Sequence, residues 1–213
     1  MDFNTFLELI VNIKDLPLLG EQAHAKLSPP YRLELAEKYK KKRKKAPKAG
    51  VMALFYPDDN GITHLVFILR KSYKGVHSAQ VGFPGGKVED TDTNLQETAL
   101  RETEEEVGVP IHQIEVLKTL SPLYIPPSNF MVYPFLGIAK QQLQFIKQDS
   151  EVEDIIEVTL ADFLNENNVI NTKVATSYNV KVEVPAFKLN GHIVWGATAM
   201  MLSEIKVLLK EVL

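Results

Sequence analysis

The chain has 213 residues, a length that favours a single domain of ordinary size. Its 24 basic and 27 acidic residues give a net charge of −3, which excludes a generally basic nucleic-acid-binding protein. Cysteine is absent, so a disulfide framework, a cysteine nucleophile and a cysteine-based zinc or iron–sulfur site are also excluded.

Two features predict a soluble, cytoplasmic protein that has no membrane partner. The longest apolar runs, near residues 51–56 and 193–202, are far shorter than the roughly 18 residues that a membrane-spanning helix requires. The first residues contain an acidic second position and no basic region, so they do not resemble a secretory signal peptide.

The first half of the chain is predicted to form two helices followed by a β-hairpin. Apolar residues at helical spacing predict a helix over 3–14, and a second helix begins near residue 31. The second helix runs into a basic segment, residues 38–48, which holds eight Lys and Arg side chains. Strands are predicted over 51–56 and 64–70 around a turn at 57–61, followed by a glycine-rich loop over 72–86.

The second half is predicted to mix strands with three helices. Strands are expected over 116–120, 132–139 and 155–158, a hairpin over 173–184, and helices over 95–107, from 161 to 164 and over 197–212. This order predicts an α+β fold with a mixed β-sheet flanked by helices. We expect residues 1–48 to form an N-terminal helical extension and residues 49–213 to form the main domain. Trp195 and Phe187 are expected in the core.

The predicted helix over 95–107 has clear start and stop signals and an acidic face. Asn94 with Glu97 three residues later is a capping-box arrangement, and Gly108 is a C-terminal glycine signal. Positions four residues apart form the expected buried stripe, namely Leu95, Ala99, Thr103 and Val107. Beside this stripe, three carboxylates fall within an arc of about 100°, namely Glu102, Glu105 and Glu106.

This acidic arc has two interpretations. Carboxylates at i,i+4 spacing repel one another by a few tenths of a kcal/mol, a cost that a bound cation would remove. Hard divalent cations prefer carboxylate oxygens, and Mg²⁺ also binds substrate phosphates. Arg101 can hold the array in place by pairing with Glu97 or Glu105. The alternative is a solvated acidic helix face with no bound ion.

The loop before the helix favours the metal site. It ends in Phe-Pro-Gly-Gly at 83–86, and paired glycines let backbone groups approach a ligand or metal closely. With RETEEEVGV at 101–109, this segment resembles the Nudix box, G-x5-E-x7-R-E-U-x-E-E-x-G-U, where U is a bulky apolar residue. The stretch from Gly86 to Arg101 is one residue longer than that pattern, its acid is Asp92, and Thr103 occupies the first U position.

The preceding residues are similar to one branch of this family, the coenzyme A pyrophosphatases. Residues 70–86 read RKSYKGVHSAQVGFPGG, against a branch motif of roughly R-S-x-x-x-R-x-H-x-G-Q-V-x-F-P-G-G. They depart from it at Lys71, Gly75 and Ala79. The longer stretch before the helix also occurs in this branch, and the resemblance covers about residues 50–213.

The resemblance implies a fold, a metal site and a catalytic apparatus. The fold is the α/β/α Nudix sandwich, with a loop–helix–loop Nudix box and extra helices at the N-terminus. Glu102 and Glu106 would ligate Mg²⁺ or Mn²⁺, with Glu105 as a third ligand or a base and the Gly86 carbonyl as a further ligand. Arg101 would hold the catalytic carboxylates, and Glu151 would act as the general base; its alternative is a surface carboxylate at a strand start.

The implied activity is metal-dependent hydrolysis of the pyrophosphate bond of coenzyme A or acyl-CoA, giving 3′-phospho-AMP and 4′-phosphopantetheine or its acyl form. The expected partner is thus a small nucleotide-like molecule. The residues expected to contact it are Arg70, His77, Gln80, Phe83 and Asn129. Asn129 has an alternative role as a turn cap, because two prolines precede it closely.

Several alternatives stay open at this point. The enzyme could act on ADP-ribose, nucleotide sugars or (d)NTPs, and a non-catalytic nucleotide-binding regulator is a further option. The three box glutamates and the lack of a DNA-binding segment oppose the regulator, so no nucleic-acid partner is expected. The basic segment 38–48 could attract the phosphates of the substrate or even RNA, or be only a solvated helix end. The N-terminal helices could form a homodimer contact.

Overall fold

The computed structural model describes residues 1–72, 79–175 and 181–213. Its helices are, in chain order, Phe3–Ile10 (α1), Glu21–Ala25 (α2), Arg32–Lys38 (α3), Lys40–Arg43 (α4), Leu95–Val107 (α5), Leu160–Leu164 (α6) and Gly196–Val212 (α7). Short 3-10 turns occupy Val11–Asp15, Ile111–Gln113 and Glu166–Asn168. In the described part of the chain, no helix has both the length and the apolar character needed to cross a bilayer.

The strands form one large mixed sheet and one small antiparallel sheet. They are Lys48–Pro57 (β1), Thr63–Arg70 (β2), Val81–Gly82 (β3), Gly85–Lys87 (β4), Ile114–Thr119 (β5), Leu123–Ile125 (β6), Phe130–Ala139 (β7), Val152–Thr159 (β8), Val169–Ala175 (β9), Lys181–Leu189 (β10) and His192–Trp195 (β11). The large sheet has the order β3-β2-β1-β7-β5, with β4 on β1, β6 on β7 and β8 on β2. Strand β1 runs parallel to β7, and β9 to β11 form the small sheet. The predicted α+β class is confirmed.

Both faces of β1 are buried, which makes it the central strand of two apolar layers. One set of alternate residues, including Ala53 and Phe55, packs with α1 and α7, because side chains alternate across a strand. The other set, including Met52 and Leu54, packs beneath α5. Helix α1 belongs to the first layer, where the Phe6 ring lies 5.3 Å from that of Phe55.

Two glycines allow α5, β1 and β4 to approach closely. A Cβ atom at Gly50 would lie 2.4 Å from the Leu95 carbonyl oxygen, so a larger residue would push α5 away from β1. Gly85 has φ +147°, and a Cβ there would lie 2.4 Å from the Gly50 carbonyl oxygen. The start of the acidic helix thus lies directly against β1, and β4 lies directly against the same strand.

Most predicted elements are present, with shifted ends. The first helix ends at Ile10 and continues as a 3-10 turn, and the helix begun near residue 31 breaks at Tyr39 into α3 and α4. The loop over 72–86 contains the short strands β3 and β4, while its residues 73–78 lie outside the described residues. The hairpin over 173–184 corresponds to β9 and β10, which pair antiparallel but extend further at both ends.

A buried carboxylate on α7 joins the residue before α2 to the loop between β5 and β6. Glu204 is fully buried and accepts hydrogen bonds from the backbone of Gly20 at 2.9 Å and from the hydroxyl of Ser121 at 2.6 Å. His24 Nε2 lies 3.5 Å from the same carboxylate. Burial alone would raise the pKa of Glu204, but these hydrogen bonds outweigh it and hold the pKa at about 2.

The low pKa of Glu204 predicts an acid-labile contribution to stability. A carboxyl titrating near 2 in the fold, against 4.5 unfolded, contributes about 3 kcal/mol above pH 5, and this is lost as the pH falls towards 2. We expect Glu204→Gln to lower the free energy of unfolding by about 2–3 kcal/mol at pH 7 and less at pH 3. Urea unfolding at both values tests this; an equal loss at both would contradict the assignment.

Candidate active site

Local signals fix the two ends of the acidic helix. Asn94 caps α5, with its side-chain oxygen accepting from the Glu97 backbone at 3.0 Å, and Gly108 ends it with φ +74°. The Glu97 carboxylate binds the backbone nitrogen of Thr93 at 2.7 Å. The predicted bounds of α5 are therefore confirmed. Of the two partners predicted for Arg101, Glu105 is the one that pairs with it, since Glu97 is used at the helix start.

Glu106 is the most deeply buried of the box carboxylates. Its side chain is 1% exposed, and its Oε2 accepts a hydrogen bond of 2.7 Å from the Gly85 backbone nitrogen. Arg70 Nη1 lies 3.7 Å from Oε1, which has no hydrogen-bond partner among the described residues. A buried carboxylate oxygen left in this state is unusual and indicates an absent cationic or hydrogen-bonding partner.

Arg101 organises the other carboxylates. Its Nε donates to Asp92 at 2.9 Å, and the Asp92 side chain is almost completely buried. The remaining guanidinium nitrogens reach Glu102 at 3.1 Å and Glu105 at 2.9 Å. Hydrogen bonds with Asp92 raise the pKa of Arg101 and lower that of Asp92, so both groups stay charged.

Burial disfavours the ionised forms of Glu102 and Glu106 on α5. Desolvation raises the pKa of Glu106 to about 7 despite the nearby Arg70, and it also raises the pKa of Glu102. The negative charge of Glu151 makes a smaller contribution to both increases in pKa. Its backbone is held just before β8 by a 2.9 Å hydrogen bond from the Lys71 nitrogen to its carbonyl.

The residues at this site fit a divalent cation. Among the described residues nothing pairs with one buried oxygen of Glu106, and burial disfavours the charged forms of both Glu106 and Glu102, a cost that a bound cation would offset. Within the described residues, no three acidic or imidazole groups already converge into a complete metal site. The ion pairs of Arg101 use Oε1 of Glu102 and Oε2 of Glu105, and the second oxygen of each carboxylate is outside these pairs.

A cavity of about 440 Å³ adjoins the carboxylates. Its floor includes Val51 and Phe83, and its wall includes residues of β6, β7 and the start of α7. Arg70 joins the two features, because it lines the cavity and also donates a 2.9 Å hydrogen bond to the Gly85 carbonyl beside Glu106. A ligand in the cavity would therefore reach the acidic site at Arg70 and the paired glycines.

The expected substrate residues are only partly brought together. Arg70, Gln80 and Phe83 line the cavity, although the Phe83 ring is buried and stacked on Phe67 at 5.3 Å. Asn129 is not among the lining residues; it adopts φ +58° in a turn, and its Oδ1 accepts from the Tyr124 hydroxyl at 2.8 Å. His77 lies outside the described residues. The paired glycine Gly86 lies directly against the Glu102 carboxylate.

Several residues that line the cavity were not predicted from the sequence to be part of a binding site. Trp195 was expected in the core; it is half-buried and lines the cavity, whereas Phe187 is fully buried as expected. Phe130 and Met201 also line the cavity. Of these three residues, only Trp195 has a signal in the sequence. It stands at a strand end directly before a helix, where a side chain can reach the end of a sheet.

Comparisons with known proteins identify the family and two groups of relatives. The NUDIX domain family model matches residues 46–177. The human mitochondrial coenzyme A diphosphatase NUDT8 is 33% identical over 143 residues, covering 66% of this chain and 61% of the relative. The chain thus matches about three fifths of that relative's length. NudL of Yersinia enterocolitica, named an uncharacterized Nudix hydrolase, is 32% identical over 141 residues, covering 66% of this chain and 71% of the relative.

Solved structures show more distant similarity. The NUDIX domain of Shewanella oneidensis NrtR, solved with ADP ribose, is 23% identical with a TM-score of 0.44, covering 56% of this chain and 76% of that one. A MutT/nudix family protein from Enterococcus faecalis is 18% identical with a TM-score of 0.47, covering 78% of this chain and 60% of that one.

Proposed function

Because the chain belongs to the NUDIX domain family, we propose that it hydrolyses the diphosphate bond of coenzyme A or an acyl-CoA. The products are 3′-phospho-AMP and 4′-phosphopantetheine or its acyl form. The observation that carries the proposal is Arg70, which contacts Glu106 and the Gly85 carbonyl while lining an apolar cavity. In coenzyme A the diphosphate lies between a nucleotide and the long phosphopantetheine group, and a molecule of this form suits an arginine beside an apolar cavity. The human relative named a coenzyme A diphosphatase supports the same substrate.

The cofactor we propose is Mg²⁺ or Mn²⁺, held by Glu102 and Glu106 with Glu105 and the Gly86 carbonyl as further ligands. When bound, such an ion neutralises phosphate charge and makes water more acidic. Arg101 keeps Glu102 and Glu105 in place through its ion pairs. Arg70 would contact the anionic diphosphate, because a guanidinium matches phosphate oxygens with paired donors.

Glu151 is proposed as the base that removes a proton from the attacking water. It is exposed to solvent and yet close enough to Glu102 and Glu106 for its charge to help raise the pKa of each. Water oxygen then bonds to one phosphorus of the diphosphate, and the bridging oxygen leaves with the other phosphate.

The decisive experiment is product analysis by mass spectrometry. Purified protein with Mg²⁺ or Mn²⁺ is given CoA, an acyl-CoA, ADP-ribose and a nucleotide sugar separately. The proposal expects 3′-phospho-AMP from the first two at kcat/KM values well above those for the others. Preferential cleavage of ADP-ribose would contradict the proposed activity on CoA and support the alternative Nudix activity. Binding without cleavage of any compound would favour the nucleotide-binding regulator.

Glu151→Gln is expected to lower kcat by about 10²- to 10³-fold with little change in KM, because only proton transfer is lost. The matched control is Glu153→Gln, which makes the same change at an exposed position two residues away. Steady-state kinetics of both variants checks this. Similar kcat values for the two variants would remove Glu151 from the reaction.

Other expectations stay predictions. They are a small nucleotide-like partner without nucleic acid or membrane, a cytoplasmic location, a homodimer through the N-terminal helices, and a division at residue 48 between extension and Nudix domain. Light scattering at several protein concentrations would test the dimer.

A further inference from the structure

One wall of the cavity is a hairpin at the edge of the large sheet. It consists of β6, the turn over 126–129 and the start of β7, and we call it the wall hairpin. Its residues lining the cavity are Ile125, Ser128, Phe130 and Val132. Strand β6 has only three residues, and among the described strands it pairs with β7 alone. So short an edge strand has few sheet hydrogen bonds to hold it.

The N-terminal segment contacts the outer edge of this hairpin. Arg32 of α3 donates from its guanidinium to the carbonyl oxygen of Tyr124 in β6. Arg32 is half-buried there, and burial lowers its pKa to about 10, which still leaves it charged at pH 7. The Tyr124 hydroxyl in turn donates to Asn129 at 2.8 Å across the turn. A chain of two hydrogen bonds thus joins α3 to the tip of the hairpin.

The same N-terminal segment also contacts the inner edge. The Pro47 carbonyl accepts a 2.9 Å hydrogen bond from the backbone nitrogen of Met131, and Lys48 then begins β1 opposite that residue. Lys48 Nζ lies 5.9 Å from the centre of the Tyr133 ring. Arg32 before the basic segment and Pro47 and Lys48 at its end therefore contact one hairpin, at its outer and inner edges respectively.

We propose that the segment before β1 holds the wall hairpin in place for substrate binding, with Arg32 as a positioning residue. Arg32 lies before residue 46, where the match to the family model begins. The substrate part of this inference rests on the proposed function, whereas the contact between α3 and the hairpin does not. Arg32 is not among the residues that line the cavity, so it acts through Tyr124.

Arg32→Met keeps most of the side-chain length and removes every donor. We expect KM for CoA to rise about tenfold with kcat within about twofold, because a hydrogen bond to a charged donor is lost while the acidic site is unchanged. Amide hydrogen exchange should become faster in peptides covering residues 123–131 and stay unchanged in α5. Arg32→Lys, which retains one charged donor, should give intermediate values for both.

The matched control is Arg43→Met, which removes the same charge from an exposed position in α4. It should leave KM and hairpin exchange at their original values. An equal increase in KM in both variants would assign the effect to long-range charge and overturn the inference. Unchanged hairpin exchange in Arg32→Met, unchanged KM, or faster exchange throughout the chain would each overturn it too.

Two complications are covered by the same measurements. If Arg32→Met fails to fold, Arg32→Lys is compared with Arg43→Met by the same criteria. If the original protein leaves CoA intact, the proposed function fails, and hydrogen exchange alone then decides whether Arg32 holds the hairpin. Exchange that rises only in residues 123–131 supports the contact, and unchanged exchange overturns it.

Discussion

Replacing Glu106 with glutamine is expected to lower kcat by about 10²- to 10⁴-fold and to leave the fold intact. The glutamine oxygen can still accept the hydrogen bond from the Gly85 backbone nitrogen. What the variant lacks is the negative charge on the buried oxygen that has no partner among the described residues. The matched control is Glu104→Gln, because Glu104 lies on the same helix but is exposed and points away from the site.

The same pair of proteins also tests the cation independently of activity. A carboxyl whose pKa rises from 4.5 to about 7 on folding destabilises the fold as the pH increases through that interval. Without metal, the original protein should therefore lose up to about 3 kcal/mol between pH 4.5 and 8 through this group, and Glu106→Gln should not.

Adding Mn²⁺ at pH 8 should raise the Tm of the original protein and of Glu104→Gln, because a ligand that binds only the folded state stabilises it. The Tm of Glu106→Gln should change far less. An equal Mn²⁺ effect in all three proteins, or unchanged kcat in Glu106→Gln, would show that Glu106 is not a metal ligand.

Gly86→Ala is the second change with a large expected effect. A Cβ atom at this position would lie 2.4 Å from the carboxylate carbon and both oxygens of Glu102. The carboxylate is the mobile end of a side chain, so it would move and the backbone would remain. Displacing a reacting group by about 1 Å costs roughly 10²-fold in rate, so kcat should fall by about that factor.

Gly82→Ala is the matched control for this change. Its added Cβ would have 3.9 Å of space to its nearest neighbour, the Thr198 hydroxyl, so both kcat and Tm should stay close to their original values. Kinetics and thermal unfolding of the two variants are compared side by side. Full activity in Gly86→Ala would show that the position of Glu102 is not critical.

The acidic helix was the part of the site that sequence analysis predicted best. Its bounds depend on Asn94 and Gly108, whose capping effects are local and so are visible in the sequence. The partner of Arg101 was harder to predict. Helical spacing offered Glu97 and Glu105, whereas the structure adds Asp92 from the preceding loop, because that loop folds back onto α5.

Features that join distant segments could not be predicted in this way. The cavity combines residues from β1, β7 and α7, and helical or strand periodicity says only that such residues are apolar. Nothing in the local sequence indicates that Glu204 is buried, because its hydrogen-bond partners Gly20 and Ser121 come from distant parts of the chain. The position of Arg32 on Tyr124 likewise depends on a fold in which residues 92 positions apart meet.

The close approach at Gly50 also bears on how the protein folds. Strand β1 pairs in parallel with β7, so residues more than 80 positions apart, such as Lys48 and Met131, must meet before the sheet is complete. Contacts of this sequence separation form slowly, because much of the chain must be ordered first. Helix α5 packs on β1 at Gly50, and β4 with its paired glycines pairs with the same strand, so the carboxylates and the glycines both depend on β1 for their positions. We therefore expect catalytic activity to appear only after β1 has joined both β4 and β7 in the sheet.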